Sequence, residues 1–236
     1  MSSGSTGTFS NPPTGNILAA SDIHGYGHLL ALLLDRAAYD PRRDKLFLLG
    51  DYVNKGPDSA GTLERIRRLQ RDGAVALQGN NERKWLRAAP AAGEADAART
   101  ASLMPWMASL PLWAECGPYV FVHAGLRPGV PLRRQTADDL TEIRDEFHAS
   151  PALPGQTVVF GHTSTFRFGV GAEAIWFGEG KIGIDTGAGH GHYVSLVDLS
   201  NGLHYYVSVQ PPHDVRCITL QGRSPEADAL FCGGKR

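Results

Sequence analysis

Five short apolar runs, each broken off beside a side chain able to bind a metal, constrain this chain more than any other feature of it. Ile17, Leu18, Ala19 and Ala20 run into Ser21-Asp22-Ile23-His24-Gly25. Residues 45–49 run into Gly50-Asp51, 74–77 into Gly79-Asn80, 119–122 into His123-Ala124-Gly125, and 157–160 into Gly161-His162-Thr163. Runs this short and this apolar read as buried strands. Between the first three lie helical stretches, 28–38 closed by Asp40-Pro41 and 59–72 closed by Gly73. Strand, polar loop and helix therefore recur, which argues for a layered α/β fold whose ligands collect at the C-terminal ends of the strands.

The Ala-rich middle, 82–112, predicts helices capping one side of the sheet, with Met104, Trp106, Met107 and Trp113 read as core. Further strands are expected at 181–184, 193–199 and 203–209, with a candidate at 215–220. The 236 residues suffice for one sizeable domain that removes roughly 70 % of its unfolded surface from water. Its expected limits are 16–210, after a flexible Ser/Gly/Pro-rich tail over 1–15 and before a C-terminal extension over 211–236. A net charge of −1 leaves no footprint for nucleic acid, and the basic cluster Arg65, Arg67, Arg68 and Arg71 reads as a solvated helix face. Cys116, Cys217 and Cys232 lack zinc-knuckle or redox spacing, and no signal peptide or membrane span is evident, so the expectation is a cytoplasmic protein.

Carboxylate, imidazole and amide oxygen together suit divalent ions such as manganese, iron, zinc or cobalt. If two ions are to sit about 3.5 Å apart, the separation that clamps a phosphate, one carboxylate must bridge them. Asp51, central in the series, is the best candidate. Taken singly, each residue has an ordinary reading, because Asp and Asn cap helices and a lone histidine is usually structural. Five strand ends that all carry ligand types, four of them beside glycine, have no such ordinary reading.

These motifs, together with Gly50-Asp51-Tyr52-Val53-Asn54-Lys55-Gly56 and Gly79-Asn80-Asn81-Glu82, resemble those of the calcineurin-like metallophosphoesterases. Within that superfamily the likeness is to bacterial PPP-type serine/threonine phosphatases and symmetrical diadenosine tetraphosphate hydrolases, and it spans about 17–199. The resemblance implies a layered β-sandwich flanked by helices. It also implies two divalent ions, manganese foremost, with iron, zinc, cobalt or nickel as alternatives. Asp22, His24 and Asp51 would hold the first ion, and Asp51, Asn80, His123 and His162 the second. The segment 139–147 resembles the stretch carrying a phosphate-binding arginine, which places that role on Arg144. Asp185-Thr186-Gly187-Ala188 resembles a late motif whose following loop overhangs the site.

Three positions depart from the pattern. Asn54, Lys55 and Asn81 stand where the family has Asp, Arg and the histidine that protonates the leaving oxygen. Asparagine exchanges no proton near neutral pH, and loss of such a group costs about 10²- to 10⁴-fold in rate. Lys55 supplies charge without the two-pronged grip of guanidinium. Asn54 and Asn81 make sense as a pair, since a carboxylate with no imidazole to orient would be a charge without its partner. His190, after the late motif, is the candidate substitute acid, with His192 behind it. The leading expectation is a phosphomonoester hydrolase in which a hydroxide bridging the ions attacks phosphorus while Arg144 and Lys55 hold the oxygens. Its substrate would be a phosphorylated small molecule, nucleotide or protein. The alternatives are a dinucleotide polyphosphate hydrolase, whose phosphate leaving group tolerates Asn81, and a metal- and phosphate-binding pseudoenzyme.

Overall fold

In the computed structural model, residues 6–88, 94–151 and 153–220 are described. In chain order the elements are β1 (Gly7–Ser10), β2 (Ile17–Ala20), α1 (Gly27–Arg36), β3 (Lys45–Leu48), α2 (Ser59–Arg71), β4 (Val75–Ala76), α3 (Asn80–Arg87), α4 (Glu94–Ala108) and β5 (Trp113–Cys116). They continue as β6 (Tyr119–Val122), α5 (Ala137–Glu142), α6 (Asp145–His148), β7 (Thr157–Phe160), β8 (Trp176–Gly178), β9 (Lys181–Gly183), β10 (Tyr193–Asp198), β11 (Leu203–Ser208) and β12 (Arg216–Thr219).

The strands form two six-stranded sheets, ordered β1-β5-β6-β7-β9-β8 and β12-β11-β10-β2-β3-β4. Between the sheets lies an apolar layer that includes Ala19, Phe47, Leu77, Phe121 and Ile182, in which the Phe47 and Phe121 rings stack 3.8 Å apart. A second cluster joins the outer face of one sheet to α1, α2 and α4 through Leu30, Leu33, Leu63 and Met107, and a third covers the other sheet with Leu140 and Phe147 of α5 and α6. The expected α/β sandwich flanked by helices is therefore present. Strands buried on both faces explain why the sequence reads as unbroken apolar runs rather than alternating ones.

The parallel strands β2, β3 and β4 in one sheet, and β6, β7 and β9 in the other, bring the candidate site residues to one end of the sandwich. One sequence expectation needs correction. Gly7–Ser10, placed in a flexible tail, is an edge strand paired in parallel with β5 from Gly7↔Trp113 to Ser10↔Cys116. Its Phe9 lies edge-on to Trp113 at 5.3 Å. The segment after 210 does carry an added strand, β12, paired with β11, while 221–236 and Cys232 lie outside the described residues. Cys116 and Cys217 are free thiols, and no helix among the described residues is long and apolar enough to cross a membrane.

One buried histidine away from the site sets a pH prediction. The Thr186 hydroxyl donates to the Tyr193 carbonyl (3.0 Å), so it accepts from Ser195 Oγ (2.6 Å), and Ser195 in turn accepts from His204 Nε2 (2.8 Å). That chain fixes the proton on Nε2 and leaves Nδ1 buried without a partner. Burial pushes the His204 imidazole down from 6.5 to about 3. The unfolded chain therefore takes up a proton that the fold refuses, and stability contributed by His204 is lost as pH falls from about 6.5 toward 3. His204→Phe should flatten unfolding free energy against pH between about pH 6 and 4 by about one proton. Urea unfolding at several pH values measures this, and an unchanged slope would refute it.

Candidate metal centre

Six of the seven non-glycine residues with left-handed backbone in the described chain cluster at the site: Asp22, His24, Asp51, Asn54, Lys55 and His162, with φ between 45° and 68°. Such conformations cost roughly 1–2 kcal/mol per residue and persist only where surrounding bonds hold them. Those bonds are present. Asp22 N–H donates to Gly50 O (3.0 Å) and His24 N–H to Asp51 O (2.9 Å), so the loops after β2 and β3 lock together. Glu82, fully buried at the start of α3, accepts from Asp51 N–H (2.8 Å) and Gly79 N–H (2.9 Å) on one oxygen and from Tyr52 N–H (2.8 Å) on the other. The Gly79 Cα abuts Asp51, where any Cβ would collide with the carboxylate, which accounts for glycine before Asn80.

The side chains converge as two triads that share one carboxylate. Donor atoms of Asp22, His24 and Asp51 lie within 4.8 Å of one another, as do those of Asp51, His123 and His162. Asn80 stands in the second group, its Oδ1 2.9 Å from His123 Nε2 and 3.1 Å from His162 Nδ1. His24 Nδ1 donates to Val53 O (2.9 Å) and His123 Nδ1 to Leu49 O (2.8 Å). Each ring is thus left with a lone pair on Nε2 that faces acidic oxygens, Asp51 Oδ1 at 3.4 Å from His123 and Asp51 Oδ2 at 3.8 Å from His24.

Acceptors facing acceptors in a buried pocket call for cations between them. Carboxylate, imidazole and amide oxygen are a donor set for divalent ions, so the residues fit a two-cation centre with Asp51 as the bridge. Turned over, the Asn80 amide would donate to Asp51 and both imidazoles and would accept from Lys84 Nζ at 3.0 Å. With a cation held there, Asn80 would keep its amide oxygen inward. Burial, reinforced by Asp51, pushes Asp22 up to about 7, and burial beside His123 and Arg144 pushes His162 down to about 2. Burial also works against the Asp51 anion, but His123, His24 and the two Asn81 donors outweigh it and hold the carboxyl below its usual value.

Above this floor is a cavity of about 210 Å³. Arg144, Lys55, Asn81 and His190 line it, as the sequence predicts, and Arg144 Nη1 donates to Thr163 Oγ1 (3.2 Å). His192 packs edge-on against Phe166 and is not among the lining residues. Asn54 and Asn81 form a one-way chain of amide donors. Trp85 Nε1 donates to Asn54 Oδ1 (2.7 Å), Asn54 Nδ2 donates to Asn81 Oδ1 (2.8 Å), and Asn81 gives both its side-chain and its backbone N–H to Asp51. The pairing expected of the two asparagines is a direct hydrogen bond.

Sequence reasoning assigned no role to Glu82, Asp185, Lys84 or Arg167. Asp185 accepts from Ser164 Oγ (2.9 Å) and Gly187 N–H (2.8 Å), and burial, aided by Asp22, pushes it up to about 7. Lys84 and Arg167 line the cavity. The legible hint was the position of Lys84, one helical turn after Asn80.

The sequence profile of the calcineurin-like phosphoesterases matches residues 15–194. The chain belongs to that family. A symmetrical bis(5'-nucleosyl)-tetraphosphatase of Aromatoleum aromaticum is 37% identical over 124 residues, covering 48% of this chain and 45% of that relative. The chain spans about half the length of the curated relatives it matches. A crystal structure assigned provisionally as a diadenosine tetraphosphatase superposes with a TM-score of 0.62 at 24% identity, over 92% of this chain and all of that one. A protein serine/threonine phosphatase of Saccharomyces cerevisiae superposes at 0.57 with 14% identity, over 94% and 85% of the two chains. At these identities the two structures speak for the fold alone.

Proposed function

We propose that this family member hydrolyses phosphoanhydrides of dinucleotide polyphosphates. The observation that carries the reading is the commitment of Asn81: its side-chain and backbone donors both point at Asp51, so no proton-exchanging group stands at that position. A departing alkoxide is nearly as basic as hydroxide, whose parent water has a pKa of about 15.7, and needs a proton as it leaves. A departing phosphate, with a pKa of about 6, does not. His190 is a poor substitute acid, because burial, Lys55 and His24 hold its pKa below the usual value. The relatives named as tetraphosphatases point the same way. This reverses the order of the sequence-based expectations, and phosphomonoesters remain only where the leaving group is acidic.

In this reading Asp22, His24, Asp51, Asn80, His123 and His162 hold two divalent ions, manganese foremost. When bound, the ions supply Lewis-acid polarisation of the phosphoryl oxygens and lower the pKa of the attacking water. Arg144 and Lys55 grip the non-bridging oxygens of the reacting phosphate. Asn81, braced by Asn54 and Trp85, keeps Asp51 turned toward both triads.

With manganese supplied, kcat/KM for diadenosine tetraphosphate should exceed that for an alkyl phosphate such as glycerol phosphate by about 10²- to 10⁴-fold, the usual value of a general acid. Equal rates on the two would overturn the reading. Two bound ions without turnover of either, or of an aryl phosphate, would favour the binding-module alternative.

A further inference from the structure

We propose that the cavity also hydrolyses inorganic oligophosphates, tripolyphosphate the shortest of them, with Lys84 and Arg167 holding the phosphates beyond the one under attack. This rests on the phosphoanhydride reading and deepens it by naming what the site recognises: the phosphate chain rather than the nucleoside.

Two observations carry it. First, of the fourteen described residues lining the cavity none is aliphatic and none is Phe, Tyr or Trp. Small-molecule pockets are lined predominantly by apolar and aromatic side chains, whereas this lining is charges, amides, a hydroxyl, imidazoles and Gly189, and its planar faces are the same histidines and arginines that would hold metal or phosphate.

Second, four side-chain cations, Lys55, Lys84, Arg144 and Arg167, come from four separate segments to this one cavity. Among the described residues none of them is paired with a carboxylate, and what sets them apart from the other unpaired cations is that all four line one cavity. Two divalent ions would more than cancel Asp22, Asp51 and Asp185, so the four cations meet no compensating charge until a polyanion enters. Arg144 and Lys55 suffice for one phosphate. Lys84, one turn along α3 from Asn80, and Arg167, on the turn Thr165–Phe168 that follows His162, are left for its neighbours in the chain. The Asn80 orientation that suits a cation turns its NH₂ toward Lys84 Nζ, so the ammonium finds no acceptor there.

The reaction is tripolyphosphate plus water to orthophosphate plus pyrophosphate. A water oxygen forms the new bond to the terminal phosphorus, and the bridging P–O bond breaks with its electron pair kept by pyrophosphate. The proton lost by the water passes to solvent.

The test uses the full chain loaded with manganese and reads both turnover and equilibrium binding. Tripolyphosphate should be cleaved with kcat/KM within about tenfold of that for diadenosine tetraphosphate, a gap of about 1.4 kcal/mol at most. A nitrogen-bridged tripolyphosphate analogue, which resists hydrolysis, should bind about tenfold more weakly after Lys84→Met or Arg167→Gln, as expected for a charge-assisted contact at an exposed side chain. Both positions are exposed, so the variants should fold. Unchanged analogue affinity in both variants, or a dinucleotide preference of about 10³-fold or more, overturns the proposal and leaves the anhydride reading intact. Cleavage of tripolyphosphate without cleavage of the dinucleotide supports it and retires the dinucleotide reading instead.

Discussion

Asp51→Asn is expected to strip the centre of both cations and to cut turnover by about 10³-fold or more, since Lewis-acid stabilisation is worth several kcal/mol and each 1.4 kcal/mol is tenfold. Among the described residues no other carboxylate belongs to both triads. Asp22→Asn removes a ligand from one group only and should leave the Asn80, His123 and His162 group able to hold its ion. The comparison therefore separates a bridging ligand from a terminal one. Residue 51 has φ 56°, a conformation asparagine adopts as readily as aspartate, but its NH₂ would confront one of the two Asn81 N–H donors, so a melting curve of the variant separates lost folding from lost metal. Metal analysis after dialysis, alongside kcat/KM with excess manganese, reads the effect. Two ions per chain retained in Asp51→Asn would show that the two groups do not share this carboxylate.

How much of this was legible in the sequence varies with burial. β2, β6 and β7 were predicted to the residue, and β3 and β9 nearly so, because strands covered on both faces are written as unbroken apolar runs. β1 was missed because Gly-Thr-Phe-Ser is half-exposed at a sheet edge and carries only one large apolar residue. β8 is three residues of intermediate burial, too short for any periodicity to register. That the strands divide between two sheets cannot be read from alternation of elements, which fits one open sheet equally well. Here the motif resemblance, not the pattern, carried the architecture.

In the site, Asp22, His24, Asp51, Asn80, His123 and His162 stood out in the sequence because each lies in the loop that follows an apolar run and most adjoin a glycine. Lys84 and Arg167 were not, because a single exposed cation has no pattern of its own. Only the fold brings four of them over one cavity. Asn54 and Asn81 show the opposite case, in which two substitutions 27 residues apart made chemical sense as a pair before their hydrogen bond was seen.

Glu82 lay in plain view within Gly79-Asn80-Asn81-Glu82, yet its part depends on contacts across 30 and 31 residues, and its replacement should have the largest effect on stability. Glu82→Ala would orphan three buried backbone N–H groups, those of Asp51, Tyr52 and Gly79. At about 1–3 kcal/mol for each unmade bond, the loss over three donors is roughly 3–9 kcal/mol, comparable with the whole stability of many domains. That variant should be largely unfolded or melt far below the parent. Glu82→Gln is the informative companion, because its single carbonyl oxygen can keep the Asp51 and Gly79 donors while its NH₂ confronts the N–H of Tyr52. It should lose about one bond's worth, about 1–3 kcal/mol. It should also bind metal roughly 10- to 100-fold more weakly, as when a group that orients a ligand is altered. Burial and the nearby Asp51 push Glu82 up to about 7, against the pull of its three N–H donors. The contrast between the variants measures what those three hydrogen bonds contribute. Equal melting temperatures for Glu82→Ala and the parent would mean that the loops after β3 and β4 hold their shape without this brace, and the strained backbone at Asp51 would need another support.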